Sequence, residues 1–280
     1  MARGQWPVQS KRTRDMSRVL TETTAGVRIL TLNEPPANTY SYELMRELDA
    51  AILDARMDAS VHVIVLTGAG EKFFCAGATI GMLKDADRDF KYYFCLHANE
   101  TLNRLEQTPK LVIAALNGHT VGGGLEVAMA ADLRIARQGA GKIGLPEVGL
   151  GVLPGTGGTQ RLARLLGKAR ALDLMVHGRL MAMEEAAAMG LVTDVWGDDR
   201  LAGTSFLDAV VAYAQQFAPP HKASRAVGHI KRAVQSGVEA AFGEGLALER
   251  ELQQRLFDSD DAQEGIAANL EKRAPKFRGR

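Results

Sequence analysis

The amino-acid sequence predicts an α/β fold with a helical last third. Strand-like and helix-like segments alternate over the first two-thirds of the chain, and from Met183 onward helical periodicity prevails. With 280 residues, of which 46% are hydrophobic and 24% charged, the chain has the composition of a globular protein with a sizeable core. We therefore expect it to fold unaided, and this composition excludes a disordered tail or a linker protein.

The first two strands are expected at 26–33 and 62–67, because both runs are rich in β-branched residues and end at polar or glycine-containing turns. Apolar residues recur with helical spacing between them, over 44–57. The alternation continues with two apolar runs and one helical segment, at 111–116, 133–136 and 90–105. Five helical segments are expected in the last third, with the pair Pro219 and Pro220 as a break: 183–189, 199–217, 222–235, 238–256 and 260–271.

The charge and cysteine content exclude several classes of protein. Lys and Arg total 34 against 33 Asp and Glu, so the net charge of +1 offers no general field for nucleic acid or anionic lipid. The two cysteines, Cys75 and Cys95, show no CxxC spacing, which argues against a disulfide scaffold or zinc ribbon and favours a reducing compartment. The weakly charged stretch 111–131 is interrupted by Glu126 and three glycines, so we predict no membrane span there.

Two glutamates stand out because they lie in apolar, glycine-rich stretches where a carboxylate must be solvated by protein. Glu126 is the only formal charge between Lys110 and Asp132, where the mean composition would place about five. Glu147 is likewise the only charge in the segment 143–160. Each has a structural interpretation as well as a functional one: Glu126 could merely complement a helix dipole, and Glu147 could merely cap a backbone amide.

The triple glycine at 122–124 precedes a short apolar helix and would present free N–H donors at the helix N-terminus, a geometry that suits an oxyanion. Other motifs are missing: the chain has no Walker loop, dinucleotide fingerprint, HExxH or GxSxG. We therefore predict no metal site, and we assign His119 a structural role.

Three motifs resemble the enoyl-CoA hydratase (crotonase) superfamily. They are Phe-Cys-Ala-Gly-Ala at 74–78, Asn-Gly-His-Thr-Val-Gly-Gly-Gly-Leu-Glu at 117–126, and Leu-Pro-Glu at 145–147 running into Pro-Gly-Thr-Gly-Gly-Thr-Gln-Arg-Leu at 154–162. The similarity extends from about residue 18 to Arg273. It implies a spiral of repeated ββα units followed by a C-terminal helical trimerisation region, assembled as a trimer or dimer of trimers.

The resemblance also implies an activity and a core with a C-terminal subdomain, whereas the cytoplasmic location is expected from the cysteine content and the N-terminal extension from a basic segment without an apolar block. We expect a flexible N-terminal extension at 1–17, a spiral core with the active site at 18–198, and a helical oligomerisation subdomain at 199–280. A cytoplasmic, hydratase-type member would add water reversibly to a trans-2-enoyl-CoA and give a 3-hydroxyacyl-CoA. Such an enzyme acts on an acyl-CoA thioester without a cofactor, and neither a nucleic acid nor a membrane is an expected partner.

By motif position, the resemblance assigns the oxyanion hole to the backbone amides of Ala78 and Gly123. It assigns Glu126 as the general base and Glu147 as the donor of a proton to the α-carbon. The substrate-binding residues that it implies are Ala37, Ala76, Gly77, Ile80, Gly122, Gly155, Lys276 and Phe277.

Two departures from the family pattern concern CoA binding. Thr79 and Gly81 stand where members often have Asp and Lys, which leaves Lys84 as a candidate replacement for a phosphate contact. The loop at 36–39 is shortened near the expected adenine end of CoA.

Other activities stay open at this point. Isomerisation, thioester hydrolysis or dehydration could use the same oxyanion hole, although two glutamates favour hydration because isomerisation can proceed with one base. Some relatives bind AU-rich RNA, and the basic N-terminus could serve that purpose. The near-zero net charge and the missing aromatic-basic stacking motif argue against it.

Overall fold

The computed structural model describes residues 17–85 and 87–280, which form two β-sheets surrounded by helices. The strands are β1 (Val19–Thr24), β2 (Val27–Leu32), β3 (Val63–Gly68), β4 (Phe73–Cys75), β5 (Leu111–Leu116), β6 (His119–Val121), β7 (Leu133–Arg137), β8 (Lys142–Gly144), β9 (Met181–Ala182) and β10 (Asp194–Trp196). The helices are α1 (Tyr42–Met57), α2 (Ile80–Asp85), α3 (Arg88–Glu106), α4 (Gly123–Met129), α5 (Gly158–Leu166), α6 (Lys168–Val176), α7 (Met183–Ala188), α8 (Asp198–Leu201), α9 (Phe206–Gln215), α10 (Ser224–Gly237), α11 (Phe242–Phe257) and α12 (Asp260–Leu270). A 3₁₀ helix spans Glu147–Leu150.

The larger sheet has the strand order β1-β2-β3-β5-β7-β10, and the smaller one β4-β6-β8-β9. The hairpin β1-β2 is antiparallel, and the other neighbours in the larger sheet are parallel. From β3 to β8 the strands alternate between the two sheets: β3, β5 and β7 lie in the larger sheet, and β4, β6 and β8 lie in the smaller one. A helix closes each unit, so the expected ββα repeat is present.

The core lies on both faces of the larger sheet. All six residues of β3 are buried, which explains its continuous apolar run, because a strand covered on both faces does not alternate. Val63 and Val65 face α9, whereas Ile64 and Leu66 belong to the main cluster with α1 and α3.

Side-chain caps fix where the two longest helices of the core begin. Ser41 Oγ accepts a hydrogen bond from the Leu44 N–H at 3.2 Å, and Asp87 Oδ1 accepts one from the Phe90 N–H at 2.6 Å. Such caps satisfy amide donors that have no partner within the helix.

The structure differs from the sequence expectations at several elements. The segment expected to be helical at 199–217 is two helices, since Ala202 and Gly203 interrupt it with φ angles of +49° and +81°. Strand β1 is not predicted, because only one of its six residues is buried and the apolar alternation is missing. Helices α5 and α6 are not predicted either; in α6, apolar residues such as Leu172 and Val176 also occupy the exposed side.

The predicted boundaries at residues 17 and 198 stay predictions. Apart from Ser17, the expected flexible extension lies outside the described residues. Helix α9, which begins after the second boundary, packs on the larger sheet of the core. Within the part of the chain that the structure describes, no helix has both the length and the apolar character needed to cross a membrane.

Candidate active site

The segment after β4 carries the first of the two predicted amide donors. Tyr40 pairs with Ala78 as an isolated parallel bridge. The Tyr40 N–H donates to the Gly77 carbonyl at 2.9 Å, and the Thr79 N–H donates to the Tyr40 carbonyl at 3.1 Å. In such a bridge the middle residue turns its own N–H away from the partner strand. The Ala78 N–H is therefore available to a ligand, and no acceptor for it occurs among the described residues.

The second predicted donor lies at the start of α4. Gly123 is the first residue of this helix, so its N–H has no acceptor within the helix. Its cap, Gly122, has a φ of +58°, a conformation that favours glycine. A Cβ placed on Gly77 would lie only 2.9 Å from the Gly123 nitrogen. The structure thus brings the segments that carry the two predicted donors together.

Glycine is required at the first two positions of α4, Gly123 and Gly124, because neighbouring atoms leave no room for a side chain there. A Cβ on Gly123 would overlap the Tyr40 hydroxyl, and a Cβ on Gly124 would overlap the Cys75 carbonyl. The triple glycine therefore lets the helix N-terminus, with its partial positive charge, approach β4.

Glu126 lies one turn into α4 and is 2% exposed. Its Oε1 accepts hydrogen bonds from the Thr156 N–H at 2.8 Å and the Gly158 N–H at 2.7 Å, and its Oε2 accepts one from the Thr156 hydroxyl. Burial raises the pKa of Glu126 above its usual value, although these three hydrogen bonds act in the opposite direction because they favour the ionised form.

Tyr40 lies directly behind this carboxylate. Its hydroxyl is 3.1 Å from Thr156 Oγ1, and its ring packs against Phe94 with a centroid distance of 5.9 Å. Burial raises the pKa of Tyr40, so the side chain is a neutral phenol. Neither Tyr40 nor Thr156 is predicted from the sequence as a functional residue, because the contact between them joins segments 116 residues apart.

Glu147 begins the 3₁₀ helix that follows β8. Its Oε1 is 3.0 Å from the position that a Cβ on Gly122 would take. Its Oε2 is buried and has no hydrogen-bond partner among the described residues. Burial raises the pKa of Glu147 to about 7; its own backbone N–H acts against this shift, and the negative charge of Glu126 adds to it. Both glutamates therefore lie at the N-terminal end of α4 and influence each other electrostatically.

Most of the predicted substrate-binding residues border this site. The Ala37 carbonyl accepts a hydrogen bond from the Ala76 N–H at 3.1 Å, which continues the pairing of Tyr40 with Gly77. Gly155 precedes Thr156 and lies beside Cys95: a Cβ on it would be 3.4 Å from the sulfur. The exposed residue Ile80 begins α2.

Lys276 and Phe277 lie in another part of the fold. The Lys276 N–H donates to Glu264 at 2.8 Å. Phe277 packs against Gly265 of α12, so both predicted residues contact the C-terminal helices rather than the two glutamates.

The residues at the two departures from the family pattern have local roles. The Thr79 hydroxyl donates to Thr39 Oγ1 at 3.2 Å. In the short loop, the Asn38 amide donates to the carbonyls of Ala69 at 2.9 Å and Phe73 at 2.8 Å, which anchors the segment that leads to Tyr40. Lys84 is exposed on α2. Over residues 17–85 and 87–280, no cluster of three or more His, Cys, Asp or Glu side chains suits a metal ion.

Comparison with known proteins identifies the family. A sequence model described as Enoyl-CoA hydratase/isomerase matches residues 22–280. The chain belongs to this family. The resemblance inferred from the three motifs is thereby confirmed, and so is the crotonase-type fold.

Relatives match nearly end to end. A probable enoyl-CoA hydratase of Rhizobium meliloti is 40% identical over 94% of this chain and 98% of its own length. The short-chain-enoyl-CoA hydratase of Clostridium acetobutylicum is 36% identical, with 92% of this chain and 97% of that protein covered. Among solved structures, the Geobacillus kaustophilus enoyl-CoA hydratase superposes with a TM-score of 0.90 at 43% identity, with 95% of this chain and 98% of that chain covered.

Proposed function

We propose that this family member is an enoyl-CoA hydratase, which adds water reversibly to a trans-2-enoyl-CoA and gives a 3-hydroxyacyl-CoA. One observation carries the proposal: the buried carboxyl group of Glu126 and the half-buried one of Glu147 lie beside two backbone amides that have no acceptor among the residues that the structure describes. The relatives named as enoyl-CoA hydratases support it.

The amides of Ala78 and Gly123 are the proposed donors to the thioester carbonyl oxygen. When water attacks the β-carbon, the π electrons of the double bond move toward this oxygen and an enolate-like state develops. Donors aimed at the oxygen strengthen as the charge grows, so they stabilise the transition state more than the substrate. Each donor of this kind contributes about 3 to 4 kcal/mol. The N-terminus of α4 adds its partial positive charge.

The two glutamates would divide the proton transfers. Glu126, with its ionised form supported by three hydrogen bonds, takes a proton from the attacking water as its oxygen bonds to the β-carbon. Glu147, whose pKa of about 7 leaves it partly protonated at neutral pH, delivers that proton to the α-carbon. The reaction begins and ends with one proton on the pair, and it needs neither an oxidant nor a reductant. We therefore propose that it uses no cofactor.

Hydration explains both carboxyl groups, whereas isomerisation within the same family would need only one base. No feature of the described residues favours thioester hydrolysis, dehydration of another substrate or RNA binding over it. The basic N-terminal segment on which an RNA-binding role would rest lies outside the described residues.

We also propose assembly into a homo-oligomer, a trimer or a dimer of trimers. Helix α10 and the start of α11 leave apolar side chains exposed in the single chain: Ile230 (63%), Val234 (59%), Val238 (73%) and Phe242 (82%). A patch of this kind is typical of a subunit interface. Light scattering should give three or six times the chain mass of 30.2 kDa; the mass of a single chain would contradict the proposal.

The two free cysteines, Cys75 and Cys95, support a reducing location such as the cytoplasm.

Glu126→Gln and Glu147→Gln should each lower kcat for crotonyl-CoA hydration by about 10²- to 10⁴-fold, because each removes one proton transfer and keeps the side-chain shape. Loss of the conjugated enoyl absorbance measures the rate. Glu22→Gln, on the exposed side of β1, is the matched control and should behave as the wild type. Turnover near the wild-type rate in either site variant would refute the assignment.

The pH dependence follows from Glu147. Because burial raises its pKa to about 7, the proton that hydration needs is lost as the pH rises through this value. We expect kcat/KM to fall above about pH 7 in hydration and in dehydration alike, since one proton on the pair is required in both directions. Stopped-flow or steady-state profiles from about pH 5 to 9 test this. A profile that stays flat across that range would show that Glu147 does not carry the transferred proton.

A further inference from the structure

A chain of two hydroxyl groups lies behind the proposed base. The Tyr40 hydroxyl is 3.1 Å from Thr156 Oγ1, and the Thr156 hydroxyl in turn bonds Glu126 Oε2. Tyr40, Thr156 and Glu126 are 2%, 3% and 2% exposed, so water does not compete for these hydrogen bonds. Neither hydroxyl exchanges a proton with the substrate in the reaction described above, and Tyr40 has no role in it.

The directions of the hydrogen bonds follow from the chemistry of the groups. In the ionised form that its role as a base requires, the Glu126 carboxylate only accepts, so the single proton of the Thr156 hydroxyl is donated to it. Thr156 Oγ1 can then take part in the bond with Tyr40 only as an acceptor, and Tyr40 must be the donor. The hydrogen bonds therefore run in one direction, from Tyr40 through Thr156 to Glu126, and each donor polarises the next.

The same contacts fix the orientation of the carboxylate. Oε1 is already bonded by the N–H groups of Thr156 and Gly158, which hold one edge of the group. The Thr156 hydroxyl holds Oε2, so rotation of the carboxylate would break at least one of three hydrogen bonds. Because an oxygen has room for more than one donor, Oε2 can still accept a proton from the attacking water.

We propose that Tyr40 and Thr156 are positioning residues for the hydration reaction, which hold the Glu126 carboxylate in one orientation and favour its ionised form. Thr156 acts directly on the carboxylate, and Tyr40 acts through Thr156. This inference rests on the proposed function, because it assigns the two hydroxyls to the base of that reaction.

Tyr40 has a further structural connection to the site. Its backbone N–H and carbonyl hold the segment that carries the Ala78 amide, through Gly77 and Thr79. Its hydroxyl lies against Gly123 and is within hydrogen-bond distance of Thr156, which in turn bonds the proposed base. One residue therefore links the position of an oxyanion donor to the position of the base, and a phenylalanine at this position would keep the backbone link and remove only the hydroxyl.

The test uses Thr156→Val, Thr156→Ser, Tyr40→Phe and the double variant Tyr40→Phe/Thr156→Val in the full chain, with crotonyl-CoA as substrate. Thr156→Val should lower kcat by about 10- to 100-fold and leave KM within about twofold, because the lost hydrogen bond serves the base rather than substrate binding. Without that donor the ionised form of Glu126 is less stable, so the acidic limb of the kcat/KM profile should move up by about one pH unit. Thr156→Ser keeps the hydroxyl and should stay within about threefold of the wild type.

The double variant tests whether Tyr40 acts through Thr156. Tyr40→Phe alone should lower kcat/KM by about three- to tenfold and shift the acidic limb in the same direction by a smaller amount. In the Thr156→Val background, Tyr40→Phe should have no further effect, because the hydrogen bonds from Tyr40 through Thr156 to Glu126 are already interrupted. Thr159→Val and Tyr213→Phe remove the same atoms from residues that do not contact Glu126, and both should match the wild type.

Each result has a distinct meaning. A wild-type chain that hydrates no enoyl thioester would overturn the proposed function, and this inference with it. An active wild type whose pH profile is unchanged in Thr156→Val, or a Tyr40→Phe effect that persists fully in the double variant, would overturn the inference alone. If Thr156→Val lacks the wild-type circular dichroism spectrum, Tyr40→Phe decides. A shifted acidic limb of its kcat/KM profile supports the positioning role of the two hydroxyls, and an unshifted one refutes it.

Discussion

The structure depends on the close approach of the start of α4 to β4 and Tyr40. Gly123 and Gly124 allow this approach, because a side chain at either position would occupy the place of the Tyr40 hydroxyl or the Cys75 carbonyl. The approach aligns the Gly123 amide with the Ala78 segment, and it places Glu126 one turn further along the same helix. A helix N-terminus in this position offers hydrogen-bond donors and partial positive charge to one small volume.

The two glutamates share this volume but have different surroundings. Glu126 is bonded by two amides and a hydroxyl, all of which favour its ionised form, whereas one oxygen of Glu147 is buried and has no partner within residues 17–85 and 87–280. Different surroundings are what divide two similar carboxyl groups into an acid and a base. The proposed assignment of Glu126 as base and Glu147 as acid therefore follows from their contacts as well as from the family resemblance.

The sequence indicates the two glutamates because each is isolated in an apolar stretch, and it predicts strands such as β2 and β3 because their residues are β-branched and buried. It does not reveal β1, which is stabilised by pairing with β2 rather than by burial of its own side chains. Nor does it reveal the contact between Tyr40 and Thr156, because neither residue is unusual in its local context. Only the fold brings these two hydroxyls to the same carboxylate.

The most direct test is a crystal structure of the Glu126→Gln variant with a bound trans-2-enoyl-CoA. The thioester oxygen should lie within about 2.7 to 3.1 Å of both the Ala78 and Gly123 nitrogens, and the carboxyl group of Glu147 should face the α-carbon. A thioester oxygen that contacts neither nitrogen, or an α-carbon turned away from Glu147, would contradict the proposed function.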